Sequence, residues 1–202
     1  MQEHQSPSTI STQQTQIASS TPQIKERKQT KNLYEPYTMP KWFWMTLTVI
    51  IRSILSLFLN ITLIGEKDVP REGPFIIAAN HLDWTDIPLI PAYLSLQMIY
   101  IAKEELFMGK LGWLVRFMGA IPVKRGEADR QLLRAADDLL KRGKIITIFP
   151  EGTRSKTQKM NSAHAGLGMI ALRANVPVIP IAIYGSENAF KKFRPRVTIT
   201  YG

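Results

Sequence analysis

The hydrophobic pattern divides the chain into three. Residues 1–37 are rich in Gln, Ser and Thr, almost lack large apolar side chains and show no periodicity. Such a stretch buries too little apolar surface to order itself, so a disordered polar arm is expected over residues 1–40. Composition then shifts abruptly: residues 42–64 run Trp-Phe-Trp-Met and on through Leu, Ile and Val, with Arg52 as the one charge. Beyond them, short apolar runs alternate with stretches of helical period.

The apolar stretch predicts a membrane-associated helix over residues 41–64. Its length suits a span of roughly 20 residues, and Lys41, Trp42 and Trp44 suit the headgroup level. Its polar residues are patterned. Thr46, Ser53 and Asn60 recur every seven positions, with Arg52 and Ser56 beside them on the helical wheel, which leaves the other side apolar. That stripe fits a helix lying in the interface, or one packed with its polar side on the protein and its apolar side in lipid.

Residues 65–202 predict one α/β domain. Phe75-Ile76-Ile77-Ala78-Ala79, Met98 to Ala102, Ile121 to Val123, Ile145 to Phe149, Val178 to Tyr184 and Arg196 to Thr200 read as strands, with a short strand and turn over 63–69. Helical patterns fall between them at 87–96, 107–118, 127–142 and 162–174. The third is the clearest: Glu127 and Asp129 open it, Leu132, Ala136, Leu139 and Leu140 form its apolar face, and Lys141-Arg142-Gly143 closes it. The surface of Phe107, Met108, Leu111, Trp113, Leu114, Phe117 and Met118 fits either core packing or an acyl-chain or membrane contact. Strands alternating with helices predict a mixed, mostly parallel central sheet flanked by helices.

Composition narrows the partners. With 26 Lys and Arg against 16 Asp and Glu, the formal charge is +10, which favours anionic lipid surfaces, phosphorylated substrates or nucleic acid. Zinc-finger spacing, a basic heptad helix and an aromatic-basic strand signature are all lacking, so no nucleic-acid partner is expected. The chain has no cysteine, which excludes thiol nucleophiles and zinc-thiolate sites. Its three histidines, His4, His81 and His164, are too scattered to suggest a metal site.

The chemistry concentrates where the strand 75–79 ends, at Asn80-His81-Leu82-Asp83-Trp84-Thr85-Asp86. Five residues of helix would turn through roughly 500° and separate His81 from Asp86, so the pair needs a bend between them. Asp86-Ile87-Pro88 reads as an N-cap with proline in the first turn. A carboxylate there can hold one imidazole nitrogen and leave the other free as a general base. In a parallel sheet the polar loops after 75–79 and 145–149 both leave carboxyl ends of strands and can face one crevice. The second loop, Glu151-Gly152-Thr153-Arg154, offers a glycine, a hydroxyl and a guanidinium whose fork matches phosphate oxygens.

Taken together, four blocks resemble the glycerolipid acyltransferases, in particular the PlsC-like 1-acylglycerol-3-phosphate acyltransferases. They are the His-x4-Asp box from Asn80 to Asp86, Gly119 to Arg125, Phe149 to Arg154, and Val178 to Ile181; Lys103 to Leu106 is similar to the family's Lys-x-Glu-Leu element. The resemblance implies transfer of a fatty acyl group to the free hydroxyl of lysophosphatidic acid, giving phosphatidic acid. It implies His81 as general base, Asp86 as the group that orients it, and Arg154, Arg125 and Lys103, with Glu151, Gly152 and Thr153, around the acceptor's phosphate. Acyl-CoA or acyl-carrier protein would be co-substrate, without a cofactor, and the enzyme would sit on the cytoplasmic face of a membrane, peripherally or held by one helix.

Three further readings share these residues: acylation of another lysolipid or of glycerol 3-phosphate, a catalytically silent lipid-binding module, and a hydrolase. The last lacks a Gly-x-Ser-x-Gly elbow. The chain departs from the family's pattern in two places. After the Glu151 to Arg154 loop the family usually carries a basic residue where Ala163-His164-Ala165-Gly166 supplies only His164. Family members also commonly continue past Thr200-Tyr201-Gly202, so the resemblance implies that the end of the fold lies beyond this stretch.

Overall fold

The computed structural model describes residues 34–123, 130–155, 157 and 159–202. Parallel strands buried on both faces should read as nearly continuous apolar runs, and the central ones do, with Thr147 the one polar member, its buried hydroxyl donating to Met98 Sδ. Strands β2 (Phe75–Ala79) and β5 (Ile145–Ile148) are buried almost throughout. They pair in parallel with Phe75 opposite Ile145. Strand β3 (Met98–Lys103) follows β5, and β4 (Ile121–Val123) follows β3, both in parallel. On the other side β6 (Val178–Tyr184) runs parallel to β2, with Ala79 opposite Ile181. Strand β7 (Arg196–Tyr201) returns antiparallel to β6. The seven-stranded order is completed by β1 (Asn60–Ile64), parallel to β7 at the edge.

Helices cover both faces, as an α/β sheet requires. On one face α1 (Lys41–Phe58) packs on α2 (Asp86–Leu94) over Phe75, Ile77, Met98, Ile181 and Ile183. On the other, α5 (Arg130–Lys141) and α6 (Gly166–Ala174) cover Ile76, Ile99, Ile121 and Ile146. The apolar face expected of α5 is buried at Leu132, Ala136, Leu139 and Leu140. The helix ends as expected at Gly143, whose φ of 74° suits a residue without a Cβ. The proposed opening at Glu127 and Asp129 lies outside the described residues.

Three expectations change. The apolar stretch 41–64 is not one helix: α1 stops at Phe58, Leu59 is extended, and Asn60 to Ile64 form β1. Ile61, Thr62 and Ile64 are β-branched, and pairing with β7 overrides any continued helix. The polar arm does not extend to residue 40, because Tyr34 and Met39 are buried, Glu35 pairs with Arg142, and Tyr37 stacks on Phe117. Residues 1–33 lie outside the described residues. The helix expected over 107–118 is two short ones, α3 (Glu105–Met108) and α4 (Gly112–Phe117), broken at Gly109. Of its apolar surface, Met108, Leu111 and Trp113 are exposed.

By length and composition α1 is apolar enough to cross a membrane. Its 18 residues rise about 27 Å. Trp44, Thr48 and Leu55 are buried against the domain, whereas Phe43, Ile50, Ile54 and Leu57 point outward and are exposed. The polar stripe divides. Arg52 lies over the Tyr93 ring and Ser56 hydrogen-bonds the Tyr93 hydroxyl at 2.8 Å, so this part faces the protein. Thr46 and Ser53 are exposed and donate to the carbonyls of Trp42 and Val49 one turn back, which satisfies both hydroxyls within the helix.

Candidate active site

At the carboxyl end of β2, Asn80 continues the ladder with its side chain: its amide donates to the Ile183 carbonyl at 2.9 Å and accepts from the Ile183 N–H at 2.7 Å. This clamp fixes the backbone just before His81. The chain then bends, and Asp83 makes the turn by accepting from both the N–H and the hydroxyl of Thr85. Thr85, not Asp86, occupies the N-cap position of α2, and Asp86 is the first helical residue. The cap reading therefore gives way to a reversed arrangement. The Asp86 carboxylate turns back across the bend, and its Oδ2 accepts from the N–H groups of Leu82 (2.7 Å) and Asp83 (2.8 Å).

The same oxygen lies 2.9 Å from Nδ1 of His81. Asp86 is fully buried and the His81 side chain is 12% exposed. With Nδ1–H donating to the carboxylate, Nε2 carries the lone pair, which is the tautomer a general base needs. Among the described residues Nε2 has no hydrogen-bond partner. The imidazole also stacks on Phe149 at 4.2 Å between centroids and 19° between planes, so the plane of the ring is held as well as its edge. Phe149 in turn stacks on Tyr100, whose hydroxyl donates to the Ile87 carbonyl at 2.8 Å. Burial, and after it the Asp86 carboxylate, hold the Tyr100 phenol well above its ordinary value. It therefore stays a neutral donor that braces the first turn of α2.

The loop after β5 meets the box as its position in the sheet demands. The Ser155 N–H donates to the His81 carbonyl at 2.8 Å. Arg154 is exposed, and its guanidinium carbon lies 4.7 Å over the ring of Trp84. Gly152 takes a φ of 61°, where a side chain would be strained. Thr153 is exposed and its hydroxyl donates to the Arg154 carbonyl.

Glu151 does something else. It is 4% exposed, with Oε1 accepting from the His81 N–H at 3.2 Å and Oε2 from the Asn161 N–H at 2.8 Å. Expected around the acceptor's phosphate, this carboxylate has both oxygens taken by backbone amides and braces the two loops together. Lys103 is half-buried at the carboxyl end of β3, on the same edge of the sheet. Arg125 lies outside the described residues. His164 is exposed, and its N–H donates to the Pro150 carbonyl.

A family model described as Acyltransferase matches residues 60–184. The chain belongs to this acyltransferase family. The match takes in the His81 box and the Glu151 to Arg154 loop. A 1-acyl-sn-glycerol-3-phosphate acyltransferase of Bacillus subtilis is 32% identical over 154 residues, covering 74% of this chain and 76% of its own. A lyso-ornithine lipid O-acyltransferase of Pseudomonas aeruginosa is 39% identical over 119 residues, 57% of this chain; the chain spans 45% of that relative's length. The crystal structure of the lysophosphatidic acid acyltransferase PlsC from Thermotoga maritima superposes with a TM-score of 0.63 at 29% identity, over 80% of this chain and 68% of that one.

Asn80, Trp84 and Phe149 stood in the sequence blocks without a role. An aromatic inside the box and another at the mouth of a strand were the available signals, since rings stack on neighbouring imidazole and guanidinium groups.

Proposed function

We propose that the protein acylates the free hydroxyl of lysophosphatidic acid, forming phosphatidic acid, with acyl-CoA or acyl-carrier protein as donor. The observation that carries this is the 2.9 Å contact between His81 Nδ1 and Asp86 Oδ2, beside a loop that presents Arg154. Nε2 of His81 takes the proton of the acceptor hydroxyl as its oxygen attacks the thioester carbonyl, and Asp86 steadies the imidazolium that forms. Collapse of the tetrahedral intermediate breaks the C–S bond. The imidazolium returns its proton to the thiolate, so ester and thiol leave and the site is regenerated. Arg154, with Lys103 and Arg125, neutralises the acceptor's phosphate, while Gly152 and Thr153 shape its loop.

The reading extends to the membrane. With one face of α1 fastened to α2, the helix beds its outer apolar face in the cytoplasmic leaflet and keeps the site beside it. Residues 65–202, joined by β1, form the acyltransferase domain. A second acceptor, lyso-ornithine lipid, is favoured by the 39% identity to the Pseudomonas relative that carries it in its name. Purified protein offered labelled lysophosphatidic acid or lyso-ornithine lipid, each with acyl-CoA or acyl-carrier protein, separates the two. Phosphatidic acid is the product expected, and product from the ornithine acceptor alone would replace the first reading by the second.

A further inference from the structure

The turn from β6 to β7 carries apolar surface that the acyl transfer does not use. It leaves β6 at Gly185, where a φ of 87° and the Arg196 carbonyl, which a Cβ would strike, both demand a glycine. Ala189 and Pro195 are buried and tie the turn down. Between them Phe190 is 71% and Phe193 92% exposed. Two phenyl rings open to water are costly unless something covers them. Lys191, Lys192, Arg194 and Arg196 are exposed on the same segment, against the half-buried Glu187.

The position of this patch follows from strand register. Ala79 pairs with Ile181, Tyr184 with Thr198, and Asn60 with Arg196. The carboxyl end of β2, the β6–β7 turn and the start of β1 therefore share one edge of the sheet. His81 leaves that edge, and so does the last turn of α1. Phe190 and Phe58, the final residue of α1, meet with ring centroids 6.3 Å apart. Leu57 and Phe58 are exposed there too, so the apolar patch is continuous with the outer face of α1.

We infer that residues 190–194 form a second bilayer contact, in which Phe190 and Phe193 enter the headgroup boundary of an anionic leaflet while Lys191, Lys192 and Arg194 pair with lipid phosphates. This rests on the membrane reading given above. Rings suit the interfacial layer, and each cation near an anionic surface strengthens binding about fivefold. Held at α1 and at this turn, the edge that bears His81 faces the leaflet from which a lysolipid arrives.

Because the chain has no cysteine, single labels report position without ambiguity. Full-length Phe193→Cys, Ile50→Cys on the outer face of α1 and Glu72→Cys at the opposite edge of the sheet are each labelled with a polarity-sensitive dye. All three are reconstituted with phosphatidylcholine vesicles, with or without phosphatidylglycerol. Iodide quenching at 193 should fall several-fold when phosphatidylglycerol is present, approaching that at 50, while 72 stays open. Lys191→Glu with Lys192→Glu, added to the 193-labelled chain, should restore iodide access. A label at 193 as open as that at 72, with 50 protected, overturns the inference and leaves the membrane reading standing. If 50 is open as well, both fall. Protection at 193 without lipid assigns the patch to a second copy of the chain and likewise overturns it.

Discussion

The Arg154 guanidinium lies 4.7 Å over the ring of Trp84, which joins the loop after β5 to the middle of the His81 box. A cation so placed is oriented without being neutralised, since the ring faces it with a quadrupole and not a charge. Arg154 is thereby left un-neutralised, as the proposed contact with an anionic acceptor requires. Trp84→Ala should raise KM for a phosphorylated acceptor about two- to fivefold with kcat little changed, and Trp84→Phe should recover part of the loss. Steady-state kinetics over acceptor concentration measures the split; a fall confined to kcat would contradict a positioning role for the ring.

Asp86 holds His81 by one oxygen that also gathers two backbone amides. Asp86→Asn keeps the size but offers an amide where a carboxylate orients the ring and would balance the imidazolium of the proposed proton transfer. The expected effect is a loss in kcat of about two to four orders of magnitude with KM nearly constant. Initial rates across acceptor concentrations check it, and near-wild-type kcat would mean that the pair serves only the fold.

Glu151 links the backbone of His81 to that of Asn161. Glu151→Ala strips an acceptor from both amides and should cost about 1–3 kcal/mol. For a chain of this size each kcal/mol lowers Tm by about 2–4 °C. Glu151→Gln, which retains one acceptor oxygen, should fall between. Thermal unfolding distinguishes this from a phosphate-binding role, in which Glu151→Ala would leave Tm unchanged and alter only acceptor affinity.

Much of this arrangement was legible in sequence because parallel strands announce themselves. The runs at Phe75 and Ile145 are apolar but for Thr147, and parallel pairing puts the loops that follow them on one edge. What stayed hidden depends on contacts distant in sequence. The division of the stretch 41–64 into α1 and β1 is set by pairing with Arg196 to Thr200, more than 130 residues on. Tyr34 and Met39 look like the end of a polar arm until the domain they pack on is present. The bracing contacts of Glu151 stayed hidden because the amides it satisfies lie 70 residues before it and 10 after. The carboxylate of Asp86 was read in the right partnership with His81 and in the wrong place on its helix.

Tyr100 gives the account a pH signature. Its folded-state pKa is raised above the ordinary phenol value of 10.0, so the folded protein holds this proton longer than the unfolded chain. Its contribution to stability is full below about pH 10 and is lost progressively as pH rises above it. Tyr201, raised chiefly by burial, acts in the same direction. Tyr100→Phe should lose about 1 kcal/mol at neutral pH with the hydrogen bond to Ile87, and should show a shallower decline in stability above pH 10. Denaturant unfolding from pH 8 to 11 reads both effects; an unchanged alkaline slope would place the Tyr100 hydroxyl in contact with solvent.

The most direct test is the rate of phosphatidic acid formation by purified wild type and His81→Ala, from lysophosphatidic acid with acyl-CoA or acyl-carrier protein. The proton-accepting role of His81 predicts a wild-type rate with at least one donor and a fall of about 10²–10⁴-fold in the variant at unchanged KM. Full activity in His81→Ala, or no product from wild type with either donor, would contradict it.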